Sequence, residues 1–200
     1  MIIFIRGGNI MKKFSLIMFL CLTYAMAENI EVLTQGEILV NGKALNSKDS
    51  IKYGDTIETK KGASFRFKVG KEAFLVSGKS KFSLKKEKGT NIFELVSGSV
   101  MGVFAKGKHK LKTPNMTAGI RGTGVYAKIK DGKTYFCICY GSTGIEVKYA
   151  TESEVLSAKH HNMVWVTDDL IKHTAHMEFH TDDELRGLEK MVGRVPAFDK

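Results

Sequence analysis

Residues Thr113 to Val147 read TPNMTAGIRGTGVYAKIKDGKTYFCICYGSTGIEV, and this stretch decides the fold. It carries one of the chain's two prolines, a dense share of its twenty glycines and a Cys-x-Cys. Its order is a Thr-Pro start, an Ala-Gly-Ile-Arg-Gly-Thr-Gly turn, a Val-Tyr-Ala strand and an Asp-Gly turn. A strand ending in Cys137 and Cys139 follows, then Gly-x-x-Gly and a last strand. Apolar and polar residues alternate with the period of two that a half-buried strand requires, and Asp-Gly is a two-residue hairpin signal.

The same texture extends upstream. Asn29 to Val40 alternates and meets Asn41-Gly42, another hairpin signal, and glycines then fall at 54, 62, 70 and 78. Alternating runs such as Ala63 to Val69 and Ala73 to Val76 lie between them, and Lys85 to Gly89 reads as a lysine-rich turn before strands at Ile92 to Val96 and Ser99 to Phe104. Strand, turn and strand at this pace predict an all-β domain, a β-sandwich or a β-solenoid-like stack, with one apolar face per strand. The motif TPNMTAGIRGTGVY, together with GDTIET at 54–59 and LVSGSV at 95–100, resembles the FecR domain of bacterial envelope proteins. The resemblance spans roughly Ile30 to Val147 and implies a secreted β domain. Its signalling relatives use a cytoplasmic N-terminal region and a membrane anchor that this sequence does not display, so sigma-factor control is not carried over.

Before that domain, Met11-Lys12-Lys13, an apolar run from Phe14 to Tyr24 and Ala25-Met26-Ala27 have the parts of a secretory signal peptide. The expectation is a signal over residues 1–27, with 1–10 as an upstream extension ahead of Met11, and a periplasmic or secreted product without a transmembrane anchor. The formal charge of +10 includes Arg6, Lys12 and Lys13 of that leader. No dense Lys/Arg run with interleaved aromatics appears, which argues against a nucleic acid partner. After the β domain of residues 28–150, the tail of residues 151–200 lacks glycine until Gly187 and carries His160, His161, His173, His176 and His180. Thr181-Asp-Asp-Glu184 reads as a capping box, followed by Leu185, Leu188, Met191 and Val192 at helical spacing. These predict one short C-terminal helix over about 181–193, whose apolar stripe docks on the β domain.

No catalytic motif stands out: there is no nucleophile-elbow serine and no phosphate-cradling loop, so the chain reads as a non-enzymatic protein. Its first functional reading is a binding module for an envelope protein or a cell-wall glycan. Arg121 and Thr123, in the glycine-rich turn, are the candidate binding residues, against a purely structural role for that turn. The second reading is a metal-binding or thiol-redox protein. Cys137 and Cys139 project from one face of a strand with Cα atoms about 6.6 Å apart, near the upper limit for a disulfide. A Cys137–Cys139 disulfide is one outcome in an oxidising compartment. The other is a tetrahedral copper or zinc site made by Cys137, Cys139, His160 and His161.

Overall fold

The computed structural model describes residues 33–46, 50–150, 153–174 and 176–200. The expected signal region, 1–27, lies outside the described residues. In chain order the strands are β1 (Leu33–Gln35), β2 (Ile38–Val40), β3 (Lys43–Ala44), β4 (Thr56–Thr59), β5 (Ser64–Val69), β6 (Glu72–Glu87) and β7 (Thr90–Val103). There follow β8 (His109–Lys112), β9 (Met116–Ile120), β10 (Gly124–Lys130), β11 (Lys133–Val147), β12 (Ser153–Ala158), β13 (Asn162–Val166) and β14 (Ile171–Thr174). The helix α1 (Asp182–Met191) and a 3-10 turn at Ala197–Asp199 end the chain.

Three strands are far longer than the rest, and they build the architecture: β6, β7 and β11 have 16, 14 and 15 residues. Each pairs with one set of neighbours in its first half and another set in its second half. In one sheet β1, β5, the start of β6, the end of β7, β10, the start of β11, β13 and β14 lie side by side. In the other lie β3, β2, β4, the end of β6, the start of β7, β8, β9, the end of β11 and β12. The result is a two-sheet sandwich, antiparallel except where β8 runs parallel to β7. The expected sandwich-or-solenoid alternative therefore resolves to the sandwich. Phe65, Phe67, Phe74 and Phe136 of the first sheet and Phe82, Phe93, Leu111 and Ile145 of the second fill the space between them.

Glycine permits the long strands to change sheets. Gly98 of β7 has φ +78 and Gly141 of β11 has φ +95, backbone that other residues enter only with strain. At Gly98 the opposite bend of β6 comes so close that an added Cβ would lie 2.5 Å from Ser80 Cα. The Ser80 hydroxyl staples the corner by accepting the Ser99 N–H at 2.8 Å.

Local turn chemistry behaves as the residue types dictate. Asn41-Gly42 and Asp131-Gly132 hold positive φ at both positions and close two-residue hairpins. The evenly spaced glycines are of two kinds: Gly54, Gly62 and Gly70 sit in turns, whereas Gly78 lies within β6 at its bend. The expected lysine-rich turn is also shorter, since β6 runs on to Glu87 and only Lys88-Gly89 turn. Likewise Ala118-Gly119-Ile120 belongs to β9, leaving Arg121 to Thr123 as the turn.

Residues after 150 continue the same sheets. β12 and β13 both pair with β11, one on each side of its bend, and β14 pairs with β13. Helix α1 then lies on the outer face of the first sheet, where Leu185 and Leu188 pack with Leu75, Met101, Tyr126, Tyr135, Cys137 and Cys139. Among the described residues no helix is long and apolar enough to cross a membrane.

Two glycines separate backbone strain from close packing. Gly42 has φ +78 with nothing near its missing Cβ, whereas Gly98 has the same φ against Ser80. Gly42→Ala is expected to cost about 1 kcal/mol and Gly98→Ala about 2–4 kcal/mol, the excess being the steric clash. Equilibrium denaturation of the two variants measures the difference.

Candidate functional site

The pleat of β11 fixes the first half of the site. Phe136 and Ile138 point into the sandwich, so Tyr135, Cys137 and Cys139 point out of it, onto the face that α1 covers. Both cysteines are fully buried free thiols, with sulfurs 4.0 Å apart. A disulfide would bring them to about 2.05 Å; the structure instead holds two separate sulfurs.

The imidazoles arrive from two different segments. His161 occupies the turn between β12 and β13 at φ 54, and its backbone N–H donates to the Cys139 carbonyl at 2.9 Å. That turn spans the bend of β11, because β12 pairs from Gly141 onward and β13 pairs up to Ile138. The His161 ring thereby comes over the sulfurs, with Nδ1 3.3 Å from Cys137 Sγ. His180 directly precedes the N-cap of α1. Thr181 and Glu184 form the capping box expected from sequence, and burial of Leu185 and Leu188 locks the helix start onto the sheet. His180 is thus held with Nε2 3.9 Å from Cys139 Sγ, its ring stacked on Tyr126 at 4.5 Å.

One ligating atom from each of Cys137, Cys139, His161 and His180 lies within 4.8 Å of the other three. This corrects the expected quartet by one member, His180 in place of His160. The His160 side chain is 48% exposed and turns to Asp182, 3.0 Å away, instead of the sulfurs. Both rings reach Asp182, but only His161 also turns a nitrogen, Nδ1, to the sulfurs. Of the other histidines, His173 pairs with Glu154 at 2.9 Å and His176 is exposed.

Each imidazole has its outer nitrogen occupied. His161 Nε2 is 2.7 Å from Asp182 Oδ1. His180 Nδ1 donates to the Glu178 carbonyl at 2.8 Å, and its Nε2 faces Cys139. A carboxylate on one histidine and a backbone carbonyl on the other are the partners that orient metal-ligating imidazoles. The spacing agrees as well. Tetrahedral bonds of about 2.3 Å to sulfur and about 2.0 Å to nitrogen place two sulfurs about 3.8 Å apart and sulfur about 3.5 Å from nitrogen. The observed separations are 4.0 Å for the sulfurs and 3.3 and 3.9 Å for sulfur and nitrogen.

The electrostatics favour a deprotonated sulfur. Burial alone would push the Cys137 thiol up, but hydrogen bonds from Cys139, His161 and His180 outweigh it and bring it down to about 4. Cys139 moves the opposite way, raised by burial and by the negative charge on Cys137. His161 is raised because its bonds to Cys137 and Asp182 overcome the burial that would lower it. Asp182 is lowered, its burial outweighed by the hydrogen bonds from His161 and His160.

The two binding candidates of the glycine-rich turn lie elsewhere, on the outer face of the second sheet. Arg121 is exposed and has no hydrogen-bond or ion-pair partner among the described residues. Thr123 is 2% exposed, and its hydroxyl is unpartnered. Both line a trough of about 640 Å³. Sequence reasoning passed over Asp182 and left His180 out of the ligand set. The signal for both was the capping box, which marks His180 and Asp182 as the residues flanking the N-cap of a helix that must dock.

No known family model and no curated protein matches the chain. Two crystal structures of a candidate anti-sigma factor from Parabacteroides distasonis, at 1.65 and 2.50 Å, share its fold with a TM-score of 0.55 and 10% sequence identity. The match covers 66% of this chain, and 65% and 64% of those chains, slightly under two thirds of their length. The likeness is one of fold, compatible with a FecR-like domain.

In protein stripped of metal, Cys137 is expected to show the ultraviolet absorption of a thiolate down to about pH 4. His161→Ala removes one of the bonds that lower it and shifts the titration upward. A thiolate signal that disappears near the ordinary cysteine value of about 8.5 in the unsubstituted protein would contradict the described contacts.

Proposed function

We propose that this chain is a non-enzymatic, metal-binding protein of the bacterial envelope, whose FecR-like sandwich holds one zinc or copper(I) ion between Cys137, Cys139, His161 and His180. The observation that carries the reading is the orientation of the two imidazoles. Each is fixed from behind, by Asp182 or by the Glu178 carbonyl, with its inner nitrogen toward the sulfur pair. Two thiolates and two imidazoles in tetrahedral array suit zinc, and the soft sulfurs equally suit copper(I).

Four protein ligands fill a tetrahedral ion, and a closed set of this kind serves structure, storage or sensing more readily than catalysis, which needs an open position. The donors come from β11, from the turn between β12 and β13, and from the segment before α1, so the ion would clamp the tail to the sandwich. His161 would surrender the Nδ1 proton to make its bond and keep its Nε2 proton on Asp182. Export to the periplasm, supported by the leader pattern of residues 11–27, would place two thiols in an oxidising compartment. Ligation protects them there. The sandwich around the site acts as an interaction module toward an envelope protein or a cell-wall glycan.

Metal analysis of the protein purified without chelator tests the assignment. About one equivalent of zinc or copper is expected, retained in His160→Ala and lost in Cys137→Ser/Cys139→Ser and in His180→Ala. Removing the ion with a chelator should lower the melting temperature, since metal binding to a folded site is folding free energy. Retention in His180→Ala with loss in His160→Ala, or no metal at all, would contradict the site.

A further inference from the structure

The outer face of the second sheet carries two glycines for which the fold gives no reason. Gly78, Gly98 and Gly141 stand at positive φ, and Gly102 and Gly124 leave room for Phe104 and Tyr140 at 2.8 and 2.6 Å from where a Cβ would be. Gly119 and Gly144 have neither excuse. Neither is at positive φ; an added Cβ at Gly144 would meet nothing within 4 Å, and one at Gly119 only the Gly144 carbonyl at 3.8 Å. A glycine inside a strand costs about 0.5–1 kcal/mol relative to alanine. These two are directly paired across β9 and β11, so the cost is taken twice at one spot. Glycine in a strand without a bulge or a bend marks a place where something approaches the backbone closely.

What surrounds the pair says what approaches. The row across the sheet runs Lys110, Gly119, Gly144, Val155, which sets an ammonium at one end of a flat floor and an exposed apolar side chain at the other. Arg121 lies two residues on from Gly119, in the turn just past the end of β9. Neither Lys110 nor Arg121 has an ion-pair partner among the described residues, and both line the trough of about 640 Å³ together with the buried, unpartnered Thr123. A guanidinium left free beside an ammonium is suited to a carboxylate held by two parallel hydrogen bonds. The volume lies within the range of small-ligand sites. Glu146, which also lines the trough, repels a polyanion but accepts hydrogen bonds from hydroxyls.

We infer that the trough over Gly119 and Gly144 is a saccharide site, which takes a sugar bearing a carboxylate, such as a uronic acid unit of a glycan. The flat glycine floor receives the face of the ring, Arg121 and Lys110 bind its carboxylate, and Glu146 accepts its hydroxyls. The inference is independent of the metal reading, since none of these residues touches the Cys/His cluster.

Titration calorimetry on the full chain tests it with three probes: a uronic acid trisaccharide, a neutral trisaccharide and inorganic phosphate. The acidic sugar is expected to bind at least ten-fold more tightly than the neutral one, with phosphate showing no comparable affinity. Gly144→Val, which the open space accommodates, should weaken binding ten-fold or more while leaving the melting temperature equal or higher, and Arg121→Ala should weaken it similarly. Metal content should be unchanged in both variants. Absence of binding by the acidic trisaccharide, equal affinity for the neutral sugar or for phosphate, or full affinity in Gly144→Val would overturn the site.

Discussion

The structure depends on the register of β11, the strand that belongs to both sheets. Its alternation sends Phe136 and Ile138 into the sandwich and Cys137 and Cys139 to the outer face. A slip by one residue would exchange the two sets and bury the wrong side of the strand. Its bend at Gly141 separates the part paired with β13 from the part paired with β12. The turn joining those two strands must then cross directly above the cysteines. The position of His161 is a consequence of topology, not of a local motif.

The tail completes the site by the same logic of burial. Helix α1 covers the outer face with Leu185 and Leu188, and its polar anchor is Glu189, which is 1% exposed. Such a carboxylate is costly to bury unless it is paired. Glu189 accepts hydrogen bonds from the Tyr140 hydroxyl and from Arg194 Nε, the latter at 2.7 Å. Burial and the Glu189 carboxylate push the Tyr140 phenol up, so it remains a donor throughout the ordinary pH range. The helix is thus docked by side chains outside the Cys/His cluster, and its docking carries His180 to the sulfurs.

Much of this was legible in the residues. Asn41-Gly42 and Asp131-Gly132 announced hairpins because type I′ turns need positive φ at both positions, and the alternation around them assigned all-β structure. The capping box at Thr181 placed the helix start. What the residues concealed was long-range. Gly78 has the spacing of a turn glycine but lies inside a 16-residue strand, and only pairing with β7 shows that it bends rather than ends β6. That His161 and not His160 turns to the sulfurs, although both were expected there, is set by the turn between β12 and β13, and the place of His180 depends on where α1 docks. Cys137 and Cys139 were legible as a same-face pair, whereas their 4.0 Å separation follows from the packed face around them.

X-ray absorption spectroscopy at the metal edge of zinc-loaded protein addresses the central claim directly, because it reads the donor atoms themselves. The described site requires two sulfur neighbours at about 2.3 Å and two imidazole nitrogens at about 2.0 Å. A first shell of oxygen and nitrogen alone would place the ion elsewhere and contradict the account.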